Sequence, residues 1–287
     1  MSAADPEPLA AAYAHCDRML RDADKDRWLA SLFAPARHRP ALHALYAFNQ
    51  EAASVRDRIR EPMAGEIRLQ WWREAVEGVR EDAAANPVAA ALRDTVARYK
   101  LPSKALLDLL DARVFDLYDD PMPSMADLEG YCGETSSALV RLAAIILNDG
   151  EEPGGADAAG HAGMAIALVG LMRALPWTSA RGQLYLPADL LARHGLSRAD
   201  IVARKDSEAL RAALAELRGL AHDHLARMRA GLGHVAPAAR AAFLPAALSE
   251  AYLQAMQKRG YAPFDSAIDL PQWRRQWALW RAARRFA

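Results

Sequence analysis

The 287-residue sequence predicts an all-α fold, and three observations carry that expectation. Apolar side chains recur at spacings of three and four along most of the chain, the period of a helix with one buried face. No segment alternates apolar and polar residues with the β-branched and aromatic enrichment of a strand. Alanine is abundant and threonine scarce, a bias toward helix.

The elements follow in order. Residues 1–10 read as a disordered tail. Leu42, Leu45, Tyr46, Phe48 and Ala52 lay one apolar face on a core helix that Pro62 ends. Ile67, Trp71, Trp72, Ala75 and Val79 give the next apolar face. Asn86-Pro87 precedes an Ala-rich helix over 88–99. Pro102-Ser103 caps another, with Leu106, Leu107, Leu110, Val114 and Leu117 on one side. Ser124 and Asp127 form a near capping box for a helix that runs through Tyr131 to about Leu147. The run NDGEEPGG (148–155) is a loop. The apolar helices flanking it look like parts of one core, so residues 1–287 form one domain. An apolar helix over 160–175 stops at Pro176-Trp177, and ARGQLYLP is non-helical. Pro187 starts a short helix that Gly195 ends. Helices over 197–204, 207–231 and 237–257 follow, and a Trp/Arg-rich helix occupies 271–287.

Composition narrows function. The 36 basic and 36 acidic residues cancel, so no global basic excess points to nucleic acid. Cys16 and Cys132 stand far apart, in no metal-ligand spacing, and indicate a reducing compartment. The start MSAADPEPLAAAY lacks the pattern of a secretory or organellar leader, which points to the cytoplasm of a bacterium. No apolar run reaches the ~20 residues of a transmembrane helix. His222 and His224 do not share a helix face and lack ligand spacing. There is no phosphate-binding glycine loop and no nucleophile elbow.

Three internal segments carry a family signature. ALYAF (44–48), YC (131–132) and RGQLYLP (181–187) occur in the order and spacing of the squalene/phytoene synthase family, which the chain resembles from about residue 13 to 200. The resemblance implies an isoprenoid-synthase-type helical bundle around a central cavity. It also implies two facing aspartate-rich stretches that hold Mg²⁺ against the diphosphates of two prenyl substrates. Such a hard cation takes carboxylates plus substrate phosphates and neutralises the leaving group.

The expected carboxylates are missing. Where the family reads Asp-Asp-Ile-Val-Asp, this chain reads Ala53-Ser54-Val55-Arg56-Asp57, and only Asp57 remains. In the second motif the aspartate positions fall on Ala174 and Thr178, and the preceding amide positions on Ala167 and Gly170. Asp57, between Arg56 and Arg58, reads as ion-paired rather than metal-bound. Tyr131, Arg173, Arg181 and Tyr185 are retained and are expected near the cavity mouth. No metal and no cofactor is therefore expected. Mg²⁺ returns only if the chain is an active head-to-head prenyl diphosphate synthase with an atypical site.

FNQEAASVRDRI, RLQWWREAVE (68–77) and LMRALPWTSARGQLYLP look more closely like the mitochondrial complex I assembly factor 6 group, a branch without the aspartate motifs. That likeness implies a pseudoenzyme that acts on respiratory-complex subunits or with other assembly factors. It would sit peripherally at the inner membrane, on the matrix side if organellar, with an isoprenoid lipid or quinone in the inherited cavity. A purely structural protein with a filled core is the other reading, and it predicts no cavity. The C-terminal segment is a separate clue. Trp273, Trp277 and Trp280 stand at i, i+4 and i+7, among five arginines including Arg281 and Arg284, with no acid from 273 onward. Two placements are open: an aromatic face against a membrane or partner, or tryptophans docked on the bundle with arginines in solvent.

Overall fold

The computed structural model describes residues 6–59, 61–266 and 268–286, and these residues contain α-helices and no strand ladder. The helices are α1 (Pro6–Ala23), α2 (Lys25–Ser31), α3 (Arg39–Ala53), α4 (Val55–Arg58), α5 (Pro62–Glu77), α6 (Pro87–Tyr99), α7 (Ser103–Arg113) and α8 (Met125–Cys132). They continue as α9 (Ala138–Leu147), α10 (Ala156–Ala180), α11 (Ala188–Arg193), α12 (Arg198–Val202), α13 (Glu208–Gly231), α14 (Leu244–Met256) and α15 (Gln272–Phe286). Local chemistry sets many of the boundaries. Asp24, Asn86, Ser124 and Ser207 each accept backbone N–H groups at the first turns of α2, α6, α8 and α13. Gly78 ends α5 at φ +80°, a left-handed value that suits glycine.

Two packing layers meet at the centre. The long α10 lies along α13 and also touches α9 and α14. On the other side α1 packs on α3 and α6, with Ala12, Cys16 and Leu20 buried. Phe48 of α3 meets Trp72 of α5 edge to face at 5.4 Å. By length and apolarity α10 would suit a bilayer, but 61% of its most apolar window is buried inside the bundle. It is a core helix.

Several expectations from the sequence need correcting. The chain is already helical at Pro6, so residues 6–10 belong to α1; residues 1–5 lie outside the described residues. Helix α10 does not stop at Pro176 but continues to Ala180. Proline cannot donate to the carbonyl of Met172. Even so, Leu175 and Ser179 on either side are buried at 3% and 1% exposure, so packing holds the turn. Ile67 and Val79 point to solvent, and Leu69, Trp72 and Ala75 form the buried face of α5 instead. Val114 and Leu117 belong to a tighter 3₁₀ turn after α7, and 237–243 is 3₁₀ before α14 begins.

The stretch expected as one helix through Tyr131 contains a π turn over Gly133–Ser137. Its wider loop brings Ser137 against Gly163 of α10, where an added Cβ would lie 2.2 Å from the Ser137 Cα. A glycine is therefore required for the two segments to meet.

Candidate functional site: a charge-matched cavity

A cavity of about 520 Å³ opens among α2, α3, the π turn, α10, α14 and α15. A wholly filled core is thereby excluded. Tyr131 and Arg173 line the cavity. Asp57, Arg181 and Tyr185 do not.

Carboxylates do converge here, from stretches the motifs did not indicate. Asp22, Asp24 and Asp26 surround the α1–α2 junction, and Asp269 comes from the segment before α15. Asp24 caps α2 and takes the Arg27 guanidinium at 2.6 Å. Asp26 is the most heavily bonded. Its Oδ1 accepts from Arg275 Nε at 2.6 Å and from the Tyr252 hydroxyl at 3.0 Å. Its Oδ2 lies 2.7 Å from the same hydroxyl and 3.5 Å from Arg173. Arg275 also bonds Asp269 and the Leu270 carbonyl. The Arg173 guanidinium sits 3.7 Å from the centre of the Tyr252 ring, a cation–π contact. Burial, reinforced by Asp26, pushes the Tyr252 phenol above its ordinary range, so it stays a neutral donor.

A buried carboxylate, Asp116, stands behind the cavity wall. Asp116 accepts from Tyr131 at 2.8 Å, Tyr185 at 2.7 Å and Arg113 at 3.0 Å. Tyr185 therefore serves Asp116 rather than the cavity mouth. Burial raises the Tyr131 phenol well above its usual value; the Arg113 charge opposes this and Asp116 adds to it. Burial likewise raises Tyr185, helped by Asp116. Both phenols remain protonated, which is what a doubly clamped carboxylate needs. The Arg113 Nε is buried with no partner among the described residues.

The two motif neighbourhoods meet at the exposed surface. Asp57 pairs with Arg181, both side chains about half exposed. Its sequence neighbours turn elsewhere, Arg56 to Asp119 and Arg58 to Glu51. Helix α3 ends at Ala53, and the Ser54 hydroxyl bonds the Glu51 carbonyl at 3.3 Å. On α10 the Thr178 hydroxyl bonds the Ala174 carbonyl at 3.3 Å, within its own helix. Ala167 and Gly170, one to two turns earlier, line the cavity with no side-chain donor or acceptor.

Sequence reasoning missed Asp26, Arg275, Tyr252, Arg113 and Asp116. One signal was available: DADKD at 22–26 sets three aspartates at every second position beside a helix start. The partners of Asp26 in α14 and α15 come from more than 200 residues away and carry no local pattern.

The tryptophans of α15 face outward. Trp273, Trp277 and Trp280 are 63%, 55% and 49% exposed, while Arg275, Leu279, Ala282 and Phe286 are buried. The docking of the tryptophans on the bundle, left open by the sequence, is overturned: the inward face already has an aliphatic and aromatic set without them.

Comparison with known proteins agrees with this architecture. Residues 20–281 match the squalene/phytoene synthase family. The rat NADH dehydrogenase (ubiquinone) complex I, assembly factor 6 is 34% identical over 270 residues, 93% of this chain and 80% of the rat protein. The phytoene synthase of Thermus thermophilus is 29% identical over 271 residues, 92% of this chain and 90% of that one. The crystal structure of squalene synthase HpnC from Alicyclobacillus acidocaldarius superposes with a TM-score of 0.77 at 25% identity, covering 91% of this chain and 98% of the other. On a match that spans nearly the whole bundle, the chain belongs to the squalene/phytoene synthase family.

Proposed function

We propose that this chain is a non-catalytic member of its family that acts in the assembly of respiratory complex I. The observation that carries the reading is the internal pairing of three of the cavity carboxylates, Asp24, Asp26 and Asp269. Asp26 already holds Arg275, Tyr252 and Arg173 around both of its oxygens. A carboxylate has about four lone-pair sites, and these three donors engage most of them. At the motif positions Ala53, Ser54, Ala174 and Thr178 offer no carboxylate, and Asp57 is committed to Arg181. Among the described residues no three His, Cys, Asp or Glu side chains are grouped to hold a metal ion. These residues do not fit a Mg²⁺–diphosphate site.

The 34% identity to a protein named as a complex I assembly factor supports the assembly role. In a bacterium the chain would work in the cytoplasm at the inner membrane, and in an organelle at the matrix face. An isoprenoid or quinone tail held in the cavity would pass Ile166, Val169 and Leu248, in a lining otherwise rich in charged side chains.

Three experiments test the parts. Incubation with farnesyl or geranylgeranyl diphosphate and Mg²⁺ should release no diphosphate. A C30 or C40 product would instead establish the active prenyltransferase. Deletion in the source organism should lower assembled complex I, and unchanged complex I on native gels would refute the assembly role. Mass spectrometry of lipid extracted from the purified protein decides the isoprenoid or quinone occupant.

A further inference from the structure

We infer that the outer face of α15 is a docking surface for an anionic phospholipid bilayer. The first observation is orientation. Arg275 is bonded to Asp26, Asp269 and the Leu270 carbonyl, and Leu279, Ala282 and Phe286 are buried. The helix is thus fixed on the bundle by one face, and Trp273, Trp277 and Trp280 stand out on the other.

The second observation is the pairing of each indole with a cation. The Arg274 guanidinium lies 5.3 Å from the Trp273 ring, Arg281 5.2 Å from Trp277 and Arg284 5.0 Å from Trp280. An indole sits best at the level of lipid headgroups, and a guanidinium beside it reaches the phosphates. The third observation is charge segregation. The chain as a whole is neutral, yet Gln272–Phe286 carries five arginines and no acid. The one carboxylate bonded to this helix from just before it, Asp269, is taken up by Arg275.

An adjoining groove of about 740 Å³ runs beside Trp277 and is lined by Arg281, Arg285 and Arg229, with room for anionic headgroups. Its Glu250 is paired to Arg229 at 3.1 Å. At 3.6 residues per turn Arg274, Arg281 and Arg285 fall along one flank of the stripe of Trp273, Trp277 and Trp280, so a row of guanidiniums runs beside a row of protruding indoles, as suits headgroup phosphates next to an interfacial aromatic belt. The groove has an apolar floor of Met228, Leu232 and Phe286 that an acidic peptide could use, but Trp273 and Trp280 lie outside it and stand exposed on the outer side of the helix, which favours the bilayer. The inference does not depend on the assembly role or on the cavity.

The test uses the full chain and sedimentation with vesicles of phosphatidylcholine alone or mixed with phosphatidylglycerol. Binding to the mixed vesicles, weakened by salt and accompanied by a blue shift of indole emission, is expected. The variant W273A/W277A/W280A should lose binding by roughly tenfold or more, since these side chains are exposed and the fold does not need them. The variant R281Q/R284Q should keep residual binding but lose the preference for phosphatidylglycerol. Equal binding to both vesicle types, or undiminished binding by the triple variant, overturns the inference. So does an indole shift on adding polyglutamate in a protein that ignores vesicles, which would assign the face to an acidic protein partner.

Discussion

Asp26 and Asp57 are both ion-paired aspartates, but their surroundings differ. Asp57 lies in the neighbourhood of the family motif, and it meets Arg181 at the surface with both side chains about half exposed. Asp26 lies in no recognised motif, and it holds three partners drawn from α10, α14 and α15 inside a cavity. The side chains of Asp26 and Arg275 are 20% and 7% exposed, so water screens that pair less than it screens Asp57 and Arg181. Where the motif positions lack carboxylates, the charge that organises the cavity comes from the ends of the chain.

Four variants probe that contrast, from the largest effect down. Arg275→Met removes the closest cation from Asp26 and Asp269, and should cost about 2–3 kcal/mol in urea unfolding. A cost below that of an ordinary surface change would put Asp26 in the same class as Asp57. The double variant Asp26→Asn/Arg275→Met should be destabilised by less than the sum of the single variants, by about 1 kcal/mol. Strict additivity would mean that the two side chains do not act as a pair. Tyr252→Phe removes one hydroxyl donor to Asp26 and should cost about 1–2 kcal/mol, with the aromatic contact to Arg173 retained. Asp57→Asn should cost about 0.5 kcal/mol or less, and salt should abolish even that difference, whereas the Arg275→Met cost should persist at high salt.

The fold was legible because helix period and caps are local. Ser124, Asn86 and Gly195 mark helix ends within a residue or two of where they fall. The bundle's departures from that reading have tertiary causes. Pro176 sits inside a helix because Leu175 and Ser179 are buried on either side of it. The π turn at Gly133–Ser137 has no periodic signature, and Gly163 lies 26 positions from Ser137 in the sequence while touching it in space.

The site was legible only in part. Tyr131 and Arg173 were found because the family order points to them. Arg181 and Tyr185 came from the same order but turn away, one to Asp57 and the other to Asp116. Arg275 was counted among the surface arginines of a Trp-rich helix, yet it is buried at 6% exposure. Nothing in i, i+3 or i+4 spacing separates it from Arg274, since the distinction is which side of α15 faces Asp26.

That placement gives α15 two jobs in one rigid rod. The same helix that turns three indoles to the outside inserts a buried guanidinium against Asp26, with Asp269 on its exposed side. The exterior and the cavity are therefore mechanically geared. Anything that pries this rod off the bundle must withdraw Arg275 and leave Asp26 with one cation fewer. Conversely, whatever neutralises Asp26 loosens the rod's inner anchor.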